Sequence, residues 1–328
     1  MSQRQVSIAF QTDKPLSAYG PLAARAEALG FDGVSVYNDL LYQPAWLPLL
    51  EMARQTRRVR LGPAAANPFT CHPLHLAGNL ALLDEASAGR AYLGMARGAW
   101  LDFVGLEVRD GVTAVRDALR CVRHLLAREA APLASAHFPL AGGDSLRWAV
   151  PRADVPFMLG SWGPRLIRAC AGLVAEVKLG GTANTAVAAW LRRLLDDCDS
   201  RAAVVVGAVT VVDADGAAAR RLARREVALY LPVVAALDPT LAIEPDRLQR
   251  IRAAAARYDY AAAAADISDE LLAAFAFAGT PDEVAAQAAA LFAAGAQRVE
   301  FGTPHGLTAD DGLRLLGERV LPALRRRT

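Results

Sequence analysis

The sequence predicts an α/β fold, a TIM (β/α)8 barrel with insertions. Three observations support this prediction: a chain of 328 residues, about eight short β-branched runs that alternate with helical patterns, and one helix–turn–strand unit that recurs along the chain. Barrels of this kind commonly exceed 200 residues as a single unit. A hydrophobic content of 54% with 21% charged residues provides enough apolar material for a large core. An open, doubly wound parallel sheet is the alternative.

The first half of the chain alternates apolar runs of strand length with segments of helical period. Gly30 follows one such segment as a helix C-cap. The predicted elements, in order, are strand Val6–Phe10, helix Ala18–Leu29, strand Gly33–Tyr37, helix Pro44–Gln55, strand Val59–Ala64, helix His72–Ala86, strand Ala91–Ala96 and helix Val112–Leu126.

The second half resumes the alternation between two interruptions. The predicted elements are strand Pro156–Gly160, helix Pro164–Leu173, and strands Glu176–Gly180, Val204–Val212 and Val299–Gly302. Residues 135–150 have hairpin-like turn chemistry around Gly142 and Gly143. Residues 214–266 are predicted as a helical insertion after the seventh strand, which covers the barrel mouth or forms a subunit contact. Because no linker separates these parts, residues 1–328 are predicted to form one domain.

An internal repeat favours a closed ring over an open sheet. AEALGFDGVSV from Ala26, CAGLVAEVKLG from Cys170 and LFAAGAQRVEFG from Leu291 each combine a helix end, a glycine in the turn and a buried strand. Copies of one unit at the start, middle and end of a chain are typical of a barrel built from repeated αβ units.

Composition excludes several classes of function. The formal charge of +2 comes from 36 basic and 34 acidic residues with no basic stripe, which argues against nucleic-acid binding. No apolar run is long enough for a signal peptide or a membrane span. The four cysteines show no paired spacing, which favours a reducing cytoplasm, and no histidine–carboxylate spacing predicts a metal site. The motifs of Rossmann, P-loop, zinc-protease and serine-hydrolase sites are absent.

Several motifs carry a resemblance to a known family. Residues 59–98, VRLGPAAANPFTCHPLHLAGNLALLDEASAGRAYLGMARG, resemble the bacterial-luciferase-like superfamily, in particular its deazaflavin-dependent methylenetetrahydromethanopterin reductases. The resemblance continues through GFDGVSVYND at 30–39, PFMLGSWGPRLIRACAG at 156–172 and GTPDEVAAQAAALFAAGAQRVEFGTPHG at 279–306. It covers most of the chain in the family's order.

The resemblance implies a cofactor ring at the end of the third strand. Ala64 and Ala65 stand where the family has a non-prolyl cis peptide behind the central ring. Asn67 would lie under the pyrimidine end of that ring, where its amide can donate and accept hydrogen bonds. Asn38 is also counted among the cofactor contacts, although the family often has Asp-His after the second strand, where this chain has Asn38–Asp39. An ordinary strand end and an Asn-Pro turn are the alternative interpretations of the 64–65 and 67–68 segments.

Two glycine loops are predicted to hold the cofactor's phosphate. The first loop, after the fifth strand, is Gly160, Ser161, Trp162, Gly163 and Pro164, and the second, after the sixth strand, contains Gly180 and Gly181. Backbone amides at a helix start, approached closely over glycine, suit an anion. Arg165 and Lys178 could pair with the same anion. Two tight turns capped by glycine are the alternative.

Departures from the family pattern bear on the substrate and on proton transfer. Ala9 replaces a glutamate of the methanopterin reductases, and Ala99–Trp100 replace a glutamate of the sugar-phosphate dehydrogenases, which argues against both substrates. The candidate proton donors are Asp39, Asp102 and His305, with His72 also considered.

The expected function is a coenzyme F-420 (8-hydroxy-5-deazaflavin)-dependent oxidoreductase. It would transfer hydride to or from a small organic substrate and reduce a C=N or C=C bond. The resemblance also implies a homodimer. An FMN-dependent two-component monooxygenase is one alternative, and a non-catalytic flavin-binding barrel is another.

Overall fold

The computed structural model describes residues 4–327 of the chain. Its strands, all paired in parallel, are β1 (Gln5–Phe10), β2 (Gly33–Val36), β3 (Arg60–Pro63), β4 (Leu93–Ala96), β5 (Phe157–Gly160), β6 (Glu176–Gly180), β7 (Ala203–Val212), β8 (Ala276–Gly279) and β9 (Arg298–Gly306). The α-helices are α1 (Tyr19–Leu29), α2 (Trp46–Gln55), α3 (Pro73–Ala86), α4 (Gly111–Leu126), α5 (Pro164–Cys170), α6 (Thr185–Asp196), α7 (Gly216–Val227), α8 (Leu231–Ala235), α9 (Pro245–Ala256), α10 (Tyr260–Ala265), α11 (Asp269–Phe275), α12 (Pro281–Ala293), α13 (Ala309–Leu315) and α14 (Leu321–Arg327). Short 3₁₀ turns form at Leu16–Ala18 and Leu101–Val104, and a π-turn joins α13 to α14 at Leu316–Val320.

Eight of these strands form a nearly closed barrel with helices around it. Their order is β3-β2-β1-β9-β7-β6-β5-β4. The seam between β3 and β4 is joined by single bridges, Leu61 to Ala91 and Ala66 to Met95. The predicted TIM barrel is therefore confirmed, and the open doubly wound sheet is wrong because the two ends of the strand order meet.

The strand β8 lies outside this ring and was not predicted. It pairs with the second half of β7, from Val209 to Val212, whereas the first half of β7 pairs with β6. The segment AFAG is too short and too poor in β-branched residues to produce a strand signal. The hydrogen-bonded pairing with β7 therefore stabilises β8 as a strand, although its own sequence has little β propensity.

Helices α7 to α11, which we call the cover, occupy most of the predicted 214–266 insertion and continue to Phe275. They have an apolar core of their own, in which Val227, Leu231, Ile251 and Phe275 are buried. Residues 135–150 form no regular hairpin: one antiparallel bridge joins Leu133 to Leu140, ahead of the expected turn.

Local sequence signals fix many helix ends. Gly30 ends α1 with φ of 94°, a conformation that is unstrained only for glycine. At the start of α12, Thr280 and Glu283 form a reciprocal capping box. Within residues 4–327, no helix is both long enough and apolar enough to cross a membrane.

Candidate functional site

A cavity of about 400 Å³, which we call the central chamber, opens at the carboxyl ends of the barrel strands. Ala64 and Ala65 line it after β3, and Lys178 lines it from β6. Tyr230 and Val234 line the opposite side from the cover. Barrel enzymes place their sites at this end of the strands. The chamber is therefore the candidate active site.

A second cavity of about 540 Å³, the outer cleft, adjoins the central chamber. The two cavities share lining residues that include Asp39, Ala65, Gly160 and Trp162. Predicted site residues line one or both of them: Asn38, Asp39, Ala64, Ala65, Asn67, Ser161, Trp162, Gly163, Gly180 and Gly181. Pro164 begins α5 directly beside these residues. Segments far apart in the chain thus converge on one continuous space.

The backbone after β3 is held on both sides. The N–H of Ala64 donates to the carbonyl of Val36 (2.7 Å), and the N–H of Ala66 donates to the carbonyl of Gly94 (2.9 Å). The peptide bond between Ala64 and Ala65 is cis, as the resemblance implied. The chamber wall here is therefore a fixed backbone that carries two methyl groups.

The side-chain oxygens of the two asparagines are used in local hydrogen bonds. The Oδ1 atom of Asn67 accepts hydrogen bonds from the N–H groups of Phe69 (3.0 Å) and Thr70 (2.9 Å), so the Asn-Pro turn is real. Its amide nitrogen is the part that could contact a ligand in the outer cleft. The Oδ1 atom of Asn38 accepts from the N–H of Ala45 (3.1 Å).

The two glycine loops are tied together. The indole N–H of Trp162 donates to the carbonyl of Gly180 (3.1 Å), and the hydroxyl of Ser161 accepts from the N–H of Gly163 (3.1 Å). The Gly163 amide is thus satisfied locally. The amides of Arg165 and Leu166, in the first turn of α5, have no partner within the helix, and both residues line the outer cleft.

The proton donors considered from the sequence occupy different places. Asp39 lines both the central chamber and the outer cleft, and its Oδ2 accepts from the side-chain amide of Gln11 (3.0 Å). Asp102 is exposed and lines a separate cavity along residues 97–109. His72 caps α3, where its Nδ1 accepts from the N–H of Leu74. Of these groups, only Asp39 faces the chamber.

His305 lines a further space, the side cavity, of about 350 Å³ between the barrel and the cover. Its side chain is buried, and its Nε2 lies 3.0 Å from the carbonyl oxygen of Ala9. Burial lowers the pKa of His305 to about 4. The imidazole is therefore neutral near pH 7 and does not line the central chamber.

A buried charge network beneath the chamber was not predicted. Lys178 forms an ion pair with Glu300, whose other carboxylate oxygen lies 3.3 Å from Nη1 of Arg298. Arg298 also pairs with Glu176 (2.6 Å), which in turn pairs with Arg60 (2.8 Å). Lys178 was expected beside a cofactor phosphate. Its ammonium group is instead ion-paired with Glu300 at the floor of the chamber.

The carboxylates of this network are charged. Burial alone raises the pKa of Glu300, but Lys178 and Arg298 outweigh it, so the pKa lies below its usual value. The pKa of Glu176 is lowered in the same way by Arg298 and Arg60. Because the five residues are spread from position 60 to position 300, no local motif reveals the network. Charged residues at inward positions of buried strands were the available signal.

A family model described as luciferase-like monooxygenase matches residues 3–298. The chain belongs to this family. The resemblance stated from the sequence is therefore confirmed, and the segments that carried it supply much of the lining of the chamber and the outer cleft.

Relatives within and around the family include both reductases and monooxygenases. A 5,10-methylenetetrahydromethanopterin reductase from Methanopyrus kandleri is 28% identical over 94% of this chain and 95% of its own. The structure of a coenzyme F420 dependent tetrahydromethanopterin reductase from the same organism has a TM-score of 0.88 and 23% identity, covering 98% of this chain and 99% of that one. A monooxygenase from Streptomyces bottropensis has a TM-score of 0.71 and 22% identity, covering 97% and 99%.

Proposed function

We propose that this protein is a coenzyme F-420-dependent oxidoreductase. It transfers hydride between the bound 8-hydroxy-5-deazaflavin and a small organic substrate, in the direction that reduces a C=N or C=C bond. The observation that carries the proposal is the central chamber with its fixed Ala64–Ala65 wall. The reductase relatives, which match nearly the full chain, support the choice of cofactor.

The residues present fit a flat ring system. Glycine and alanine supply nine of the 21 residues that line the chamber, so backbone and methyl groups form a large part of its walls. Ala65 and Gly160 would face the ring, and Asn67 would donate to its polar edge from the outer cleft. The backbone of the two glycine loops, with the Arg165 side chain beside them, would receive the phosphate.

The chain's own residues have three roles in this proposal. When bound, the deazaflavin supplies hydride chemistry. Ala64 and Ala65 orient one ring face, while Trp162 and Trp100 narrow the outer cleft and limit water. Asp39, held by Gln11, protonates the atom that becomes basic when the substrate accepts hydride. We also propose that the protein is a homodimer, on the family resemblance, and that it is cytoplasmic, on the unpaired spacing of its cysteines.

Spectroscopic titration tests the cofactor. Purified protein is titrated with the deazaflavin cofactor and with FMN, each oxidised and reduced. We expect tight binding of the deazaflavin and slow reaction of the reduced complex with oxygen. Preference for FMN with rapid oxygen consumption would favour the second candidate, an FMN-dependent two-component monooxygenase, which the family model supports. Binding without turnover of any electrophilic substrate would favour a non-catalytic flavin-binding barrel.

Asp39→Asn tests the acid. The substitution keeps the size of the side chain but cannot release a proton, so turnover should fall by roughly 100-fold. Cofactor affinity, measured by fluorescence titration, should change by less than about threefold because the ring contacts lie elsewhere. Asp102→Asn is the matched control, since Asp102 lines neither the chamber nor the cleft, and it should retain turnover. A parallel loss of turnover and affinity in Asp39→Asn would contradict the acid role.

A further inference from the structure

The floor of the central chamber carries a positive charge from Lys178. Its side chain is 10% exposed, its Nζ is ion-paired to Glu300, and it lies 5.8 Å from the centre of the Tyr37 ring. Lys178 is also the one member of the buried network, among the described residues, that lines the chamber. An ammonium group has three donors. A ligand on this floor therefore meets a cation that the barrel holds in place.

The network as a whole has an excess of positive charge. Three cations, Arg60, Lys178 and Arg298, are connected with two carboxylates, Glu176 and Glu300. Both carboxylates are ionised, so the five side chains sum to one positive charge. Water does not screen this charge as it would at the surface. Buried ion pairs are weak contributors to stability, because desolvation offsets their attraction. A contribution to stability therefore does not by itself explain the network.

The remaining ionisable groups of the chamber lie towards its mouth. Asp39 follows β2, and Glu226 and Tyr230 come from the cover, while Tyr37 lies against Lys178. Burial and the neighbouring Glu300 raise the pKa of Tyr37 well above its usual value, so this phenol stays neutral. The chamber thus has a cationic floor and an acidic mouth. An anionic ring is favoured on the floor, and a cationic or proton-accepting group is favoured at the mouth.

We propose that Lys178 binds the anionic form of the deazaflavin ring, in which the acidic 8-hydroxyl has lost its proton, and so contributes to selection of this cofactor over FMN. The inference rests on the proposed function. The negative charge of the deprotonated ring is delocalised onto its oxygen atoms, so one fixed ammonium stabilises it through space. FMN has no such hydroxyl and gains less from the same cation. Lys178 would then be a specificity-determining residue on the face of the chamber that receives the ring.

The test follows the protonation of the bound cofactor by visible absorption. Oxidised deazaflavin is saturated with protein in the absence of substrate and titrated with acid. In the unsubstituted protein the midpoint for protonation of the bound ring's 8-hydroxyl should lie about one pH unit below that of the free cofactor. Lys178→Met should remove that shift and weaken deazaflavin binding at neutral pH by about tenfold, with a smaller change for FMN. Lys178→Arg should keep most of the shift because it keeps the charge.

Arg60→Met is the matched control. It removes one cation from the same network, but Arg60 lies at the end of β3 away from the chamber and lines neither the central chamber, the outer cleft nor the side cavity. The titration midpoint of the bound cofactor should therefore stay within about 0.3 pH units of its value in the unsubstituted protein. If Lys178→Met does not fold, Lys178→Met with Glu300→Gln avoids the unpaired carboxylate and should likewise lack the shift.

The outcomes separate the two proposals. Failure of the unsubstituted protein to bind the deazaflavin would overturn the proposed function. Binding with the same midpoint in the unsubstituted protein and in the Lys178→Met variants would overturn only the role of Lys178. An equal shift in Arg60→Met would assign the effect to the charge of the whole network and also overturn that role. Because substrate is absent, a cation that serves an anionic substrate instead would leave the midpoint unchanged.

Discussion

The two walls of the central chamber are built differently. The strand wall consists of backbone and small side chains at Ala64, Ala65 and Gly160, fixed by sheet hydrogen bonds. The cover wall consists of larger side chains, Tyr230 and Val234, on or beside a helix of five residues. From this difference we predict that the strand wall fits one constant ring, whereas the cover wall adjusts more readily to a change in the ligand.

Filling each wall with the same side chain tests this difference, and we expect the largest effect here. Ala65→Phe places a ring in the chamber against a backbone that cannot retreat, so cofactor affinity should fall by about 1,000-fold. Val234→Phe should cost about tenfold, because the short α8 can shift. Both affinities are measured by fluorescence titration. Val233→Phe is the control: Val233 is 55% exposed and does not line the chamber, and its substitution should leave affinity unchanged. Equal losses from Ala65→Phe and Val234→Phe would remove the distinction between the walls.

The rigidity of the strand wall depends on the seam between β3 and β4. A methyl group at Gly94 would lie 2.0 Å from the carbonyl oxygen of Pro63, which is backbone and cannot rotate away. Gly94→Ala should therefore lower the free energy of unfolding by about 3 kcal/mol, measured by urea denaturation. Gly172→Ala meets no atom within 4 Å and should change stability by less than about 0.5 kcal/mol. A Gly94→Ala protein as stable as the Gly172→Ala protein would mean that the seam yields.

The stability of the protein should depend on pH through His305, which lies in the side cavity between the barrel and the cover. His305 has a pKa of about 4 in the fold, against about 6.5 in the unfolded chain, so the unfolded chain binds more protons in between. The contribution of the neutral imidazole to the free energy of unfolding is complete above about pH 6.5 and is lost as the pH falls towards 4. From pH 7 to pH 5, the protein should lose about 2 kcal/mol more stability than His305→Asn. Asparagine is chosen because it tolerates the φ of 79° at this position. Parallel stability curves for the two proteins would show that His305 takes up protons in the fold as freely as in the unfolded chain.

Repeated local signals made the strand wall predictable. The helix–turn–strand unit that starts at Ala26 recurs from Cys170 and from Leu291, and each copy delivers a strand end to the site. The family motif then placed Ala64 and Ala65 at the chamber. Asp39 was selected because it lies shortly after a strand, and it does line the chamber. Asp102 also follows a strand, but the intervening turn carries it to the surface at Leu101–Val104. Its exposure depends on a loop path that residue types do not encode.

Contacts between distant segments were not predictable. Lys178 and Glu300 are 122 positions apart, and each alone reads as an isolated charge in an apolar strand. Their pairing depends on barrel closure and on the register that sets Lys178 beside Val205 and Glu300 beside Gly207. Likewise β8 exists because β7 is long enough to offer a free edge beyond β6. Both features follow from tertiary geometry, which a single sequence read in windows does not contain.

The pairing of β8 with β7 also makes the cover exchangeable. Val212 and Gly279 are partners in register, and the N–H of Asp213 donates to the carbonyl of Gly279 (3.1 Å). The chain therefore leaves the barrel and returns to it at adjacent points of one strand pair. The segment between those points is an insertion whose two ends are held together by the paired strands. The length and sequence of this insertion can therefore diverge without moving the barrel strands beneath it. One platform could thus acquire new substrates by replacing a single continuous stretch of gene.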